Sequence, residues 1–130
     1  MGQMLIACAE KMEGLEMVAG VDEGDALADY IPNSDAVIDF SLHHATASCA
    51  ALCAEHGKAL IIGTTGHTDE EKAEVLKHQS SIPIVWASNY STGVNTLFWL
   101  TRRAAEILGP GYDLEVVEMH HRHKVDAPSG

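Results

Sequence analysis

Residues 118–130, EMHHRHKVDAPSG, carry the densest set of chemistry-bearing side chains in the sequence: His120, His121 and His123, with Arg122 and Lys124 among them. They sit in a chain of formal net charge -11, so a local run of cations calls for a reason. Imidazole titrates near neutral pH and a lysine ammonium carries fixed charge, a pair able to protonate an electron-rich atom and to hold an anionic substrate. A second reading is a metal-binding module of His120, His121 and His123, with Glu118 as the near carboxylate. Adjacent histidines on an extended chain point to opposite faces, which counts against joint chelation by His120 and His121. A charged, solvated loop is the third reading. The DAPSG that follows offers Pro128 for a helix start and the amides of Ser129 and Gly130 as an anion-binding turn.

Such side chains need a scaffold, and the rest of the chain alternates between apolar runs and helical patterns. MLIACAEKM reads as a helix with Leu5, Ile6, Ala9 and Met12 on one side, stopped by Gly14. LEMVAGV, DAVIDF, ALIIG and IPIVWA read as strands, with DALADYI as a short turn or helix between the first two. HHATASCAALCAEHG reads as a helix closed by Gly57, and TDEEKAEVLKHQSS as one capped by Thr68 ahead of Asp69, Glu70 and Glu71. VNTLFWLTRRAAEILG is an amphipathic helix and DLEVVEMHH a last strand. Strands separated by helices of this length imply βαβ units and a parallel sheet.

In such sheets ligands gather at the carboxyl ends of the strands. The residues there are Asp22 after VAGV, FSLHH after VID, GTTGHT after LII and ASNYSTG after IVW. In GTTG, Gly63 and Gly66 carry no side chain to block a phosphate or a cofactor ring; each of these stretches alone also reads as an ordinary strand-ending turn, though four fall on one edge. An acidic residue at the end of a second strand holds an adenosine ribose in nucleotide-binding folds, and Asp22 lies at about that spacing, ~20 residues, from Met1 and Gly2. It reads equally well as a solvated aspartate beside Glu23 and Asp25. No strand and no G-x-G-x-x-G precede the first helix, so a dinucleotide fold here would start just after its first strand. His43 and His44 read as helix-start residues, His56, His67 and His78 as surface positions, Phe98 and Trp99 as core or interface, and Trp86 as turned into the sheet.

With 130 residues the chain has the length of one typical domain. Its apolar runs fall far short of the ~20 residues of a membrane span, and its start lacks the basic region of a signal peptide. Cys8, Cys49 and Cys53 are an odd number of thiols in alanine-rich helical patterns, which favours buried free thiols over a disulfide or zinc site, and so the cytoplasm. The acidic balance argues against nucleic-acid binding.

VIDFS, IIGTTG, ASNYSTGVN and above all EMHHRHKVDAPSG resemble the dihydrodipicolinate reductase family of bacterial lysine and diaminopimelate biosynthesis, in family order along nearly the whole chain. The resemblance implies NADH or NADPH as cofactor and a small cyclic imine with two carboxylates as substrate. It implies that His120 and Lys124 are the catalytic pair, and that His121, Ser129 and Gly130 bind substrate. Met1, Asp22, Gly63, Thr64, Thr65, Ala87, Ser88, Asn89 and Tyr90 would contact the cofactor, with Asp22 favouring the free ribose of NADH. No metal is implied. The expected fold is α/β: a Rossmann-like parallel sheet lacking its first strand over residues 1–90, then the beginning of an α+β substrate-binding domain over 91–130. The family's first strand would lie between LEMVAGV and AVIDF, the stretch from Asp22 to DAVIDF is shorter than in many members, and the family's tetramer forms through sheet beyond Gly130. The chain is thus expected to be an internal fragment, whose own activity is in doubt. A remnant that only binds nucleotide or only associates with a partner is the alternative beside the metal module.

Overall fold

The structure, a computed structural model, describes residues 1–122. It falls into two compact units, Met1–Ala87 and Ser88–Gly130.

The first unit is built on three parallel strands, β1 (Ala36–Asp39), β2 (Ala59–Ile62) and β3 (Ile84–Trp86), in the order β1-β2-β3. Ala36 pairs with Ala59 and Leu60 with Ile84, so the strands run in register across the sheet. Helix α2 (His43–His56) connects β1 to β2, and α3 (Asp69–Leu76) connects β2 to β3. A shorter α1 (Gly2–Ala9) opens the unit, and two 3-10 turns, Leu27–Asp29 and Ile31–Asn33, lead into β1.

Each connecting helix has a local cause. Gly57 ends α2 with φ 64°, a left-handed conformation that costs glycine nothing. Thr68 and Glu71 form a reciprocal capping box at the start of α3: the Thr68 N–H donates to Glu71 Oε2 at 2.8 Å, and the Glu71 N–H donates to Thr68 Oγ1 at 3.2 Å.

Period-2 alternation then decides what each face of the sheet meets. Leu60 and Ile62 share one face of β2 and are fully buried with Ala50 and Cys53 of α2, Val75 of α3, and Ile31 and Ile82. The opposite face carries the cross-strand row Ile38, Ile61 and Val85, in which Ile38 and Val85 are each 55% exposed. The core is therefore one-sided.

Two expected strands do not form. Leu15–Val21 runs as irregular chain, and so does the DLEVVEM segment, residues 113–119. An apolar pattern specifies faces, but a strand also needs an edge that supplies ladder hydrogen bonds. The expected order places a further strand between Leu15–Val21 and β1, and no such strand is among the described residues. Nor does the second unit contain another described strand for 113–119 to pair with. The expected four-stranded sheet is thus three-stranded among the described residues, while its parallel α/β character stands. Helix α1 also ends earlier than the pattern predicts, at Ala9, and the chain turns through Gly14 at φ 84°.

The second unit is dominated by α4 (Thr92–Leu108), whose N-cap Ser91 accepts from the Val94 N–H at 3.3 Å. Gly109 ends it with φ 69°. Phe98 and Trp99, expected as core or interface, are exposed, with the Arg103 guanidinium 5.7 Å from the Trp99 ring centre.

Candidate functional site

The carboxyl edge of the sheet is where the first unit concentrates its polar contacts. Asp39, the last residue of β1, is only 5% exposed. Its Oδ1 accepts three hydrogen bonds: from the Ser41 N–H at 2.9 Å, from Ser41 Oγ at 2.5 Å and from Thr64 Oγ1 at 3.1 Å. Its Oδ2 is buried without a hydrogen-bond partner among the described residues. Thr64 is itself buried, and the Gly63 N–H donates to the Asp39 carbonyl at 2.9 Å, so β1 and the turn after β2 are tied together.

Gly63 has a different reason for being glycine from the one its sequence suggests. A Cβ built there would overlap the Phe40 ring, so the space is already filled by the chain's own aromatic side chain. Gly66 is glycine because its φ is 89°. Thr65 and Gly66 are exposed, and none of the described hydrogen bonds engages their backbone N–H groups. The Ala87 N–H donates to the Ile62 carbonyl at 3.2 Å, which carries the β2–β3 ladder to the base of the same turn.

His67 closes the turn on its far side. Expected at the surface, it is partly buried: Nε2 lies 2.9 Å from Thr46 Oγ1 on α2, and its ring meets Trp86 edge-on at 4.9 Å. Burial holds its pKa below the ordinary imidazole value, against the pull of Glu71 and Asp39. His43, at the start of α2, places Nδ1 2.8 Å and 2.9 Å from the two Glu71 oxygens. The Glu71 pKa is lowered first by the Thr68 N–H and then by His43. Of the three thiols, Cys8 is exposed, contrary to expectation; Cys49 is half-buried and Cys53 buried, both on α2. The Cys49 thiol is pushed up by its hydrogen bond with Cys53 and by burial, which keeps it protonated.

The remaining expected site residues are less gathered. Asp22 is exposed and organises its own turn, with Oδ1 accepting from the Glu23 N–H at 2.8 Å while its N–H donates to Asp25 Oδ2 at 2.9 Å. Met1 is exposed at the N-cap of α1. In the second unit Asn89 Oδ1 accepts from the Ser91 N–H at 2.7 Å, and the Asn95 side chain donates to the Asn89 carbonyl at 3.1 Å. This pins the Ser88–Tyr90 segment to the start of α4. His120 Nε2 lies 3.1 Å from Glu118 Oε2 on exposed chain, and His121 is exposed beside it. His123, Lys124, Ser129 and Gly130 lie outside the described residues, so the expected pairing of His120 with Lys124 has no described geometry. Among the described residues no three His, Cys, Asp or Glu side chains converge as metal ligands.

Sequence reasoning passed over Asp39, His67 and Glu71. Asp39 had a legible signal, a carboxylate ending an otherwise apolar strand that the pattern buries. The T-x-x-E pattern marks Glu71 as a capping residue, but neither the pairing of Glu71 with His43 nor that of His67 with Thr46 is signalled, because those partners lie 28 and 21 residues away.

Comparison with known proteins adds family to geometry. The profile described as "Dihydrodipicolinate reductase, N-terminus" matches residues 1–90, and that described as "Dihydrodipicolinate reductase, C-terminus" matches residues 93–130. A 4-hydroxy-tetrahydrodipicolinate reductase of Akkermansia muciniphila is 56% identical over 109 residues, covering 84% of this chain and 44% of that protein. One from an Anaeromyxobacter species is 44% identical over 151 aligned positions, covering 100% of this chain and 56% of that protein. One from Acinetobacter baumannii is 48% identical over 122 residues, covering 94% and 44%. The chain spans about half the length of the curated relatives it matches. With both profiles in order along it, the chain belongs to the dihydrodipicolinate reductase family.

Proposed function

We propose that this protein serves NAD(P)H-dependent reduction of a small cyclic imine bearing two carboxylates, the 4-hydroxy-tetrahydrodipicolinate reductase reaction of lysine and diaminopimelate biosynthesis. The observation that carries the reading is the Gly63–Gly66 turn at the carboxyl edge of the parallel sheet, in a chain of this family. Its threonine is turned inward onto Asp39 and its exposed Thr65 and Gly66 leave backbone N–H groups unengaged. Residues 1–90 then form the nucleotide-binding part and residues 91–130 the beginning of the substrate-binding part.

These residues fit a dinucleotide. The free amides of the turn suit a carboxamide or a ribose oxygen, and the exposed carboxylate of Asp22 suits a ribose diol while repelling a 2′-phosphate. Gly63, Thr64, Thr65, Ala87, Ser88, Asn89 and Tyr90 would hold the nicotinamide half, and Met1 the region of the phosphates. When bound, the reduced nicotinamide supplies a hydride to the conjugated imine ring.

The chain's own side chains do the rest. Addition of hydride leaves an electron-rich carbon on the substrate ring, which needs a proton. His120 is the donor in this reading. Glu118 engages its Nε2, so Nδ1 is the ring nitrogen left for the substrate side. Lys124 supplies fixed positive charge where negative charge develops, and His121, Ser129 and Gly130 hold the substrate carboxylates. We place the protein in the cytoplasm, where this biosynthesis runs, and in a homotetramer when the remainder of the family's second domain is present. No helix among the described residues is long and apolar enough to cross a membrane.

The test is a chimera in which residues 1–130 replace the matching part of the Akkermansia muciniphila relative. NADH oxidation dependent on the cyclic imine supports the reading. A folded, NADH-binding chimera without turnover contradicts it, and favours a chain that only binds nucleotide.

A further inference from the structure

We propose that Asp39 is the positioning residue of the cofactor turn, fixing Thr64 from below so that the amides of Thr65 and Gly66 stay presented at the sheet edge. The inference rests on the reductase reading for the identity of the ligand, but its geometric content belongs to this chain alone.

Three features single Asp39 out. It is a carboxylate at the buried end of a strand, where an apolar residue would cost less. All three of its hydrogen bonds converge on one oxygen, and they come from the two segments that leave the sheet at this edge, Ser41 after β1 and Thr64 after β2. Its second oxygen has no partner among the described residues, so the carboxylate is kept despite an unsatisfied acceptor. A group serving packing alone would be satisfied or apolar. Thr64 is held twice, since its Oγ1 also lies 3.3 Å from the Asp39 carbonyl. With the threonine side chain anchored inward, the alternation of the chain turns the following residue outward, where Thr65 is exposed. His67 pins the other end of the turn to Thr46, and Phe40 covers Gly63, so the loop is fixed at both ends and free only at its amides.

The contribution works through one oxygen, which gives a sharp set of variants. Asp39→Asn keeps Oδ1 as acceptor. Asp39→Ala removes it. Thr64→Val removes the single donated hydroxyl from the other side, and it carries the same test if Asp39→Ala does not fold. Backbone order parameters from 15N relaxation, thermal midpoints and NADH titration are measured on the chain and its variants. The expected result is a local loss of order at residues 64–66 in Asp39→Ala and Thr64→Val, from about 0.85 to below about 0.6, with α3 unchanged. NADH affinity should weaken about tenfold in the same two variants, the effect of one lost hydrogen bond, and recover in Asp39→Asn. Unchanged order at residues 64–66 in both variants overturns the proposal. So does a loss spread evenly along the chain in step with the thermal midpoint, which is the signature of a merely structural residue. If the unsubstituted chain binds no NADH, the reductase reading fails, and the order parameters decide the role of Asp39 by themselves.

Discussion

The turn after β2 and the histidine-rich segment that begins at Glu118 carry the two halves of one proposed reaction, and among the described residues they are held in opposite ways. The turn is over-determined. Asp39, itself bonded by Ser41, holds it from β1, His67 ties it to α2 and β3, and Phe40 covers its first glycine. The described part of the histidine segment, residues 118–122, rests on exposed chain, with Val117 86% and Met119 90% exposed, and His120 is oriented by a carboxylate two residues away. A cofactor turn can thus be pre-shaped by the packing of a small sheet and two helices. The proposed proton donor is picked out by sequence alone, and a defined geometry for it would have to come from what the segment packs against.

The sharpest way to break that contrast is in the chimera. Lys124→Ala and His120→Ala should each lower the catalytic rate by about 10²-fold or more while leaving NADH affinity intact, since each removes a group proposed to act on the substrate. An equal loss of NADH affinity would join the two regions into one site and dissolve the distinction. Next comes Gly63→Ala, which forces a methyl into the Phe40 ring and should destabilise the fold by about 1–3 kcal/mol. In a Phe40→Ala background the added penalty should shrink, and denaturant titration of the double-mutant cycle measures it. Thr68→Ala, which removes one half of the capping box, should cost about 1 kcal/mol by the same titration.

The smallest effect is a slope. Both His67 and Glu71 have pKa values below their ordinary 6.5 and 4.5 in the folded chain. In each case the unfolded state binds more protons in the window between the two values, so stability must fall as pH falls. The His67 contribution is complete above its ordinary value and is lost as pH drops to its lowered one. That of Glu71 follows in the more acidic window. Thermal melts between neutral and acid pH should show both limbs, with His67→Gln flattening the upper and Glu71→Gln the lower.

What the sequence made legible follows the same division. α2, α3 and β1 to β3 were readable because capping residues, Gly57 and short apolar runs state a local preference that the packing then honours. Leu15–Val21 and residues 113–119 have strand-like apolar patterns, yet they stay irregular, because a ladder partner is not written in a strand's own residues. The same limit applies to the site. Gly63, Thr64 and Thr65 could be picked out as a turn, but Asp39 and His67 act through partners distant in sequence, and the pattern does not say that Phe40 fills the space above Gly63.

The measurement that bears most directly on the account is a titration of the chain with NADH, followed by nicotinamide fluorescence and repeated with Lys124→Ala. Saturable binding is expected with Kd below about 1 mM, the upper end of the usual range for enzyme ligands, and the same Kd for the variant. Absence of binding by a chain shown to be folded, or binding that disappears with Lys124, would contradict a cofactor turn pre-shaped by the first unit alone.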